Sequence, residues 1–322
     1  MKIIHTSIFE NAENYERARI PGIVRAENGE LIAYCELRRA PGDWAVIDIG
    51  MKKSSDGAKS WGERRILVSS DGVNTVNNPV MIADGNCIHF LYCLNYRRVF
   101  YMKSEDAGES WSQSRELTDS IKAQTGDYFW SCIATGPTHG IKTLSGRLIV
   151  PLWLAYNKED EKSHHPSVIA VLYSDDNGDS WHIGKAFGGL SDPSEFAVAQ
   201  LPSGKLVVNI RHENPERCRA VGELNEAMEI CDVTFADFLP DPVCCAGMCS
   251  SGDSIFFSNC ADATARKMLT LRKLSRELSL TESFLISEEA GYSDNACSDG
   301  DKTVYVLYES GKELFCAAVS VN

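Results

Sequence analysis

Ser174-Asp175-Asp176-Asn177-Gly178-Asp179-Ser180-Trp181 repeats, almost unchanged, a stretch lying 70 residues earlier, Ser104-Glu105-Asp106-Ala107-Gly108-Glu109-Ser110-Trp111. Both satisfy Ser-x-Asp-x-Gly-x-Ser-Trp. A weaker copy, Ser54-Ser55-Asp56-Gly57-Ala58-Lys59-Ser60-Trp61, has Ala58 in place of the glycine and Gly57 one residue early. Asp and Ser cap backbone NH groups, Gly supplies a positive φ, and Trp packs beneath, so each octet is a tight turn. The two intact copies follow short apolar runs, Val99-Phe100-Tyr101-Met102 and Ile169-Ala170-Val171-Leu172-Tyr173, which makes them strand-turn-strand hairpins. Short strands repeating every 50 to 70 residues read as propeller blades. A chain of 322 residues then predicts an all-β fold, a six-bladed β-propeller of four-stranded antiparallel blades.

The octet resembles the Asp-box of the sialidases, where it is a structural turn and carries no chemistry. The boxes therefore identify a scaffold, and the site has to be sought elsewhere.

Bulk composition agrees with one compact body. With 43% hydrophobic and 24% charged residues a large core is available, and turn signals arrive steadily without clustering into a linker, so residues 1–322 are expected to form a single domain. A net charge of -13 argues against a nucleic-acid partner, which would require clustered Lys and Arg. A small anionic ligand fits if a few arginines converge. Met1-Lys2-Ile3-Ile4-His5-Thr6 lacks the apolar region of a signal peptide and no stretch has the length of a membrane span, so a cytoplasmic location without membrane partners is expected. Of twelve cysteines only Cys244-Cys245 with Cys249 are dense, at a spacing that matches no zinc pattern; free, reduced thiols are the expectation.

Arg19-Ile20-Pro21-Gly22-Ile23-Val24, then Asn28-Gly29 and the strand Leu31-Ile32-Ala33-Tyr34-Cys35-Glu36, predicts a hairpin with Asn-Gly at its tip and with Ile20 and Arg19 extended before Pro21. Alone, Arg19 is an ordinary surface arginine. Arg38-Arg39-Ala40-Pro41-Gly42-Asp43-Trp44 is a Pro-Gly loop with two arginines, an Asp and a Trp, a plausible site component. Glu195 opens and Arg211 closes a hairpin turned at Pro202-Ser203-Gly204, which brings both to one edge. Tyr128-Phe129-Trp130 is a candidate sugar-pocket wall or else core. His139, His164 and His165 have no partner at motif spacing and read as loop or rim residues.

In this order the residues resemble the sialidase family over nearly the whole chain. Arg-Ile-Pro is similar to the opening that supplies the first of three arginines for the substrate carboxylate, and the resemblance assigns the others to Arg211 and Arg266, with Arg272 as the rival. It makes Asp43 the general acid/base, with Asp48 as the rival that more readily begins the next strand, and Arg38 an additional arginine at the site edge. Gly136-Pro137-Thr138-His139-Gly140 resembles the loop leading into the third blade, and Asp241-Pro242-Val243-Cys244 the entry to a later one. Tyr292 in Gly291-Tyr292-Ser293-Asp294 is the implied nucleophile, Glu195 its base, and Glu309 the brace of Arg19. The departures are the imperfect first box, a fourth box decayed to Ser275-Arg276-Glu277, and Cys260 after Ser258-Asn259.

The resemblance implies an exo-α-sialidase that hydrolyses terminal sialic acids from sialylated glycans with retention, through a tyrosyl-glycosyl intermediate and without metal or organic cofactor. A same-mechanism glycosidase for a related ulosonic acid and an inactive sialic-acid-binding propeller are the alternatives.

Overall fold

The computed structural model describes residues 2–10, 14–125, 129–297, 300 and 302–321. Among these residues strands dominate, joined by turns, with one short helix at Thr118–Thr125. They form six antiparallel sheets in chain order. The first blade runs Arg17–Arg25, Leu31–Arg38, Ile47–Ser54, Arg65–Val68, and the second Val76–Asp84, Cys87–Leu94, Arg98–Ser104, Arg115–Glu116. In the third, Cys132–Thr135 and Ile141–Lys142 both pair with Leu148–Ala155, which continues to Ser167–Ser174 and His182–Ile183. The Gly136-Pro137 segment thus interrupts the inner strand of that blade, where a lead-in loop was expected.

The fourth blade comprises Phe196–Gln200, Leu206–Ile210, Cys218–Leu224 and Ile230–Pro240, and the fifth Gly247–Ser251, Ser254–Cys260, Lys267–Leu274 and Leu280–Glu289. In the sixth, Ser293–Ala296, Thr303–Ser310 and Glu313–Ser320 are completed by the N-terminal strand Ile3–Phe9, which pairs Ile3 with Val319. The chain start therefore closes a six-bladed propeller.

The core lies between blades. Along Leu31–Arg38 the side chains of Leu31, Ala33 and Cys35 pack with Leu307 and Leu314 of the sixth blade, while Ile32 and Tyr34 pack with Met81 and Phe90 of the second. A middle strand buried on both faces calls for an apolar run, which Leu148–Ala155 supplies throughout and Leu31–Arg38 as far as Cys35, beyond which the buried Glu36 and Arg38 pair with each other.

The three boxes occupy the turns between third and fourth strands of the first three blades. In each the aspartate caps the turn: Asp106 accepts from the Ser110 NH at 2.8 Å and its hydroxyl at 2.6 Å, and Asp176 accepts from the Ser180 NH at 2.8 Å. Asp56 does the same for Ser60 despite the displaced glycine, with Ala58 at φ +63°. An arginine of the preceding blade then ties each intact box down. Arg65 donates to the carbonyls of Gly108 and Glu109, and Arg115 to those of Gly178 and Asp179. The boxes lock neighbouring blades together.

Candidate active site

Where the inner strands and their entry loops converge lies a cavity of about 240 Å³ lined by Arg19, Asp43, Glu195, Arg211, Arg266 and Tyr292 together with Asn78, Tyr96, Trp153, His164 and His165. Arg19 reaches it through a bulge. Pairing with the second strand jumps from Arg19 opposite Glu36 to Gly22 opposite Tyr34, and Ile20 sits at φ +57°. This corrects the extended Ile20 expected from Pro21: a left-handed β-branched residue costs about 1–3 kcal/mol and persists only where its surroundings fix it. Here Glu309 fixes it. Its carboxylate accepts from the Ile20 NH at 3.0 Å, the Tyr292 NH at 3.0 Å, and Arg19 Nε and Nη2 at 3.0 and 3.2 Å. Gly291 leaves the room, since a Cβ there would lie 2.3 Å from Glu309 Oε2.

Tyr292 stands at the centre. Its hydroxyl donates to Glu195 Oε1 at 2.6 Å and accepts from Arg211 Nη1 at 2.8 Å, while the same Nη1 pairs with Glu195 Oε2. The guanidiniums of Arg19 and Arg266 lie over its ring, 4.8 and 5.3 Å from the centroid. Burial pushes the Tyr292 phenol well above its ordinary range and Glu195 adds to this, against the lowering pull of Arg211, Arg19 and Arg266. The phenol is therefore neutral, with a carboxylate in place to take its proton. Arg266 is anchored to the Val243 carbonyl at 3.3 Å. Behind the tyrosine, Cys244, Cys245 and Cys260 form an apolar backing.

Asp43 faces this group with its side chain 43% exposed. Arg38 Nη1 donates to it at 2.8 Å, and Arg38 Nε donates to Glu36 at 2.8 Å. Burial would raise the Asp43 carboxyl, but Arg38 first, then His164 and Arg19, hold it below the usual carboxylate range. Arg38 itself is buried and lies behind the cavity, so its expected place at the substrate edge is corrected. The fully buried Glu36, which also accepts from the Asn78 NH, draws the guanidinium inward, and Arg38 is left to position Asp43.

A family model described as BNR repeat-like domain matches residues 20–220. The chain belongs to the BNR repeat-like family. Curated proteins similar to it include a sialidase of Bacteroides fragilis (strain YCH46), 24% identical across 92% of this chain and 61% of that protein, and Sialidase-3 of Rattus norvegicus, 33% identical across 67% and 58%. The chain thus spans about three fifths of the length of the curated relatives it matches. Among solved structures, Hadza microbial sialidase Hz136 superposes with a TM-score of 0.82 at 25% identity, covering 95% of this chain and 66% of that one. Trypanosoma rangeli sialidase, at 18% identity and a TM-score of 0.78 over 98% and 59% of the two chains, shares the fold.

Other candidates of this BNR-family chain fall outside the cavity. Asp48 is buried and held by Tyr15 at 2.6 Å, Arg39 at 3.0 Å and the Ser70 NH at 2.6 Å, and Arg272 is tied to Asn259 at 2.5 Å. Trp130 packs into the core between the second and third blades and Phe129 is exposed, so neither walls the cavity; Tyr128 lies outside the described residues. His139 pairs with Asp294 at 2.8 Å. The reading of His164 and His165 as rim residues is corrected, because both line the cavity. The His164 ring packs 4.9 Å from Tyr96 and 5.0 Å from Trp153, and burial lowers its pKa. Tyr96, Trp153 and Asn78 were missed by sequence reading; only the structure shows that Asn78, before Pro79, shares a positive φ with Ile20 before Pro21.

Proposed function

We propose that this chain is a retaining exo-α-sialidase acting on sialylated glycans. The observation that carries the reading is a neutral tyrosine hydroxyl bonded to a carboxylate and surrounded by three arginines, with a second carboxylate facing them. A sialic acid bears a carboxylate on its anomeric carbon, which planar guanidiniums of Arg19, Arg211 and Arg266 suit. A carboxylate nucleophile would be repelled by that group; the phenol of Tyr292, losing its proton to Glu195 as it attacks, is not. Asp43 protonates the departing oxygen and then draws a proton from the water that releases the sugar, and two displacements retain configuration. Side chains supply every step, so the scheme uses neither metal nor organic cofactor.

A fluorinated sialosyl donor that slows the second displacement should leave a covalent adduct on the peptide holding Tyr292, read by mass spectrometry. An adduct elsewhere, or none alongside steady hydrolysis, would sink the tyrosyl route.

Glu309→Gln tests the brace. It keeps the shape and removes the charge that orients Arg19, so KM should rise about tenfold, the worth of a weakened charge-assisted bond, with kcat less affected. Unchanged KM and kcat would remove Glu309 from the assignment.

A further inference from the structure

Arg19, Asn78 and Tyr292 meet the candidate active site near the start of inner strands whose far ends, at Arg25, Ala83 and Cys297, line a second cavity of about 210 Å³ on the opposite face. Cys249 lines it too. The sulfurs of Cys249 and Cys297 are 2.9 Å apart across 48 positions of sequence, and Cys297 Sγ lies 3.3 Å from the Ser250 carbonyl. Both are free thiols. Their meeting is built into the backbone. On the inner strands of the fifth and sixth blades, Gly247–Ser251 and Ser293–Ala296, a Cβ added to Gly247 would fall 2.5 Å from the Asp294 Cα, so the two strands run almost in contact and bring the cysteines together a few residues on.

The geometry points to Cys249 and Cys297 as a dithiol that a small disulfide of the glutathione class oxidises to a bridge between the fifth and sixth blades. The sulfurs have about 1 Å to close before reaching the bonded separation of about 2.05 Å. Cys297 is the entry point. It is half-buried and lines both this cavity and a neighbouring one of about 440 Å³, whereas Cys249 is buried and its thiol is pushed well above the ordinary range by that burial. The Cys297 thiolate bonds to one sulfur of the reagent and releases the other half; Cys249 then displaces the second half from Cys297. The reagent's S–S bond breaks, the protein's forms, and two electrons and two protons leave with the two released thiols. Cys244 and Cys260 make the contrast, since both are 0% exposed in the apolar cluster behind Tyr292 and line none of these cavities. The bridge supplies what the turns there lack. Box arginines tie the first blade to the second and the second to the third, but the fifth blade's box has decayed to Ser275-Arg276-Glu277. A bond at Cys297 also fixes the far end of the strand that begins beside Tyr292.

The test reduces the full chain, removes the reductant and adds glutathione disulfide; peptide mapping after alkylation should find Cys249 joined to Cys297. The midpoint of thermal unfolding should rise by about 3–8 °C and fall back on reduction, the gain from closing a loop of this length in a chain of this size. Cys249→Ser removes the resolving thiol, so glutathione should stay on Cys297 in that variant, while Cys297→Ser should leave Cys249 unmodified. A native chain that holds glutathione on Cys297 without a bridge, that reacts at neither cysteine, or whose bridge leaves the midpoint unchanged or lowers it overturns the proposal, whether or not either variant folds. Sialoside cleavage is measured in no arm, so the outcome stands apart from the sialidase reading.

Discussion

Tyr292→Phe should slow sialoside cleavage by a factor on the order of 10²–10⁴ whatever the leaving group, the range for losing one member of a nucleophile and base pair. The substitution is narrow. Phenylalanine keeps the ring over which Arg19 and Arg266 lie, and it removes only the hydroxyl that Glu195 and Arg211 hold. Glu195 would still pair with Arg211, so the arginines stay oriented for a carboxylate. Binding of an unsaturated sialic acid analogue, followed by calorimetry, should therefore survive while the single-turnover rate collapses. Residual turnover is expected where a charged glycosyl species is stabilised by Glu195. A variant that keeps its rate on both aryl and sugar sialosides would show that Tyr292 is not the nucleophile.

Of the residues that meet in the cavity, local pattern alone brought together only Glu195 and Arg211; Arg19, Asp43, Arg266 and Tyr292 were placed by the resemblance to the sialidases. Glu195 and Arg211 flank a hairpin whose tip is fixed by Pro202-Ser203-Gly204, and the backbone pairing of Arg211 NH with the Glu195 carbonyl at 3.0 Å follows directly. What local pattern could not give is which way a side chain turns when a buried charge calls it. Arg38 and Arg39 are neighbours where the strand Leu31–Arg38 passes into a loop. Only the depth of Glu36, two residues away on the same face of the strand, sends the first into the protein, while Asp48 takes the second at the surface. Ile20 presents the same limit in the backbone. Proline favours extended residues before it, yet a carboxylate 289 positions later in the chain, accepting four N–H donors from three residues, outweighs that preference. His164 looked like a rim residue for the same reason: its ring neighbours Trp44, Tyr96 and Trp153 come from three different blades, and no spacing links them.

Asp43→Ala should fail unevenly, by about 10²–10⁴-fold on sialylated oligosaccharides and far less in the glycosylation step of an activated aryl sialoside. A sugar alkoxide needs a proton to depart; an acidic phenol leaves as the anion. The pH dependence carries the same signature. In the free protein Asp43 is held below the usual carboxylate range, so it is ionised at neutral pH, and its acid form gains population as pH falls. A substrate carboxylate on Arg19 cancels part of the charge that depresses it, and a bound sugar takes water from it, both of which raise its affinity for a proton. Single-turnover rates on the oligosaccharide should accordingly rise as pH falls toward the carboxyl's range, and those on the aryl substrate should stay nearly flat. In the Asp43→Ala variant the slope should vanish. Single turnovers are needed because, in the proposed route, the second displacement also uses Asp43 and would hide the difference in steady-state rates. Asp48, bound by Tyr15 and Arg39 outside the cavity, is the internal control: Asp48→Ala should alter stability without any dependence on leaving group, and a leaving-group dependence there, or equal losses from Asp43→Ala, would place the acid elsewhere.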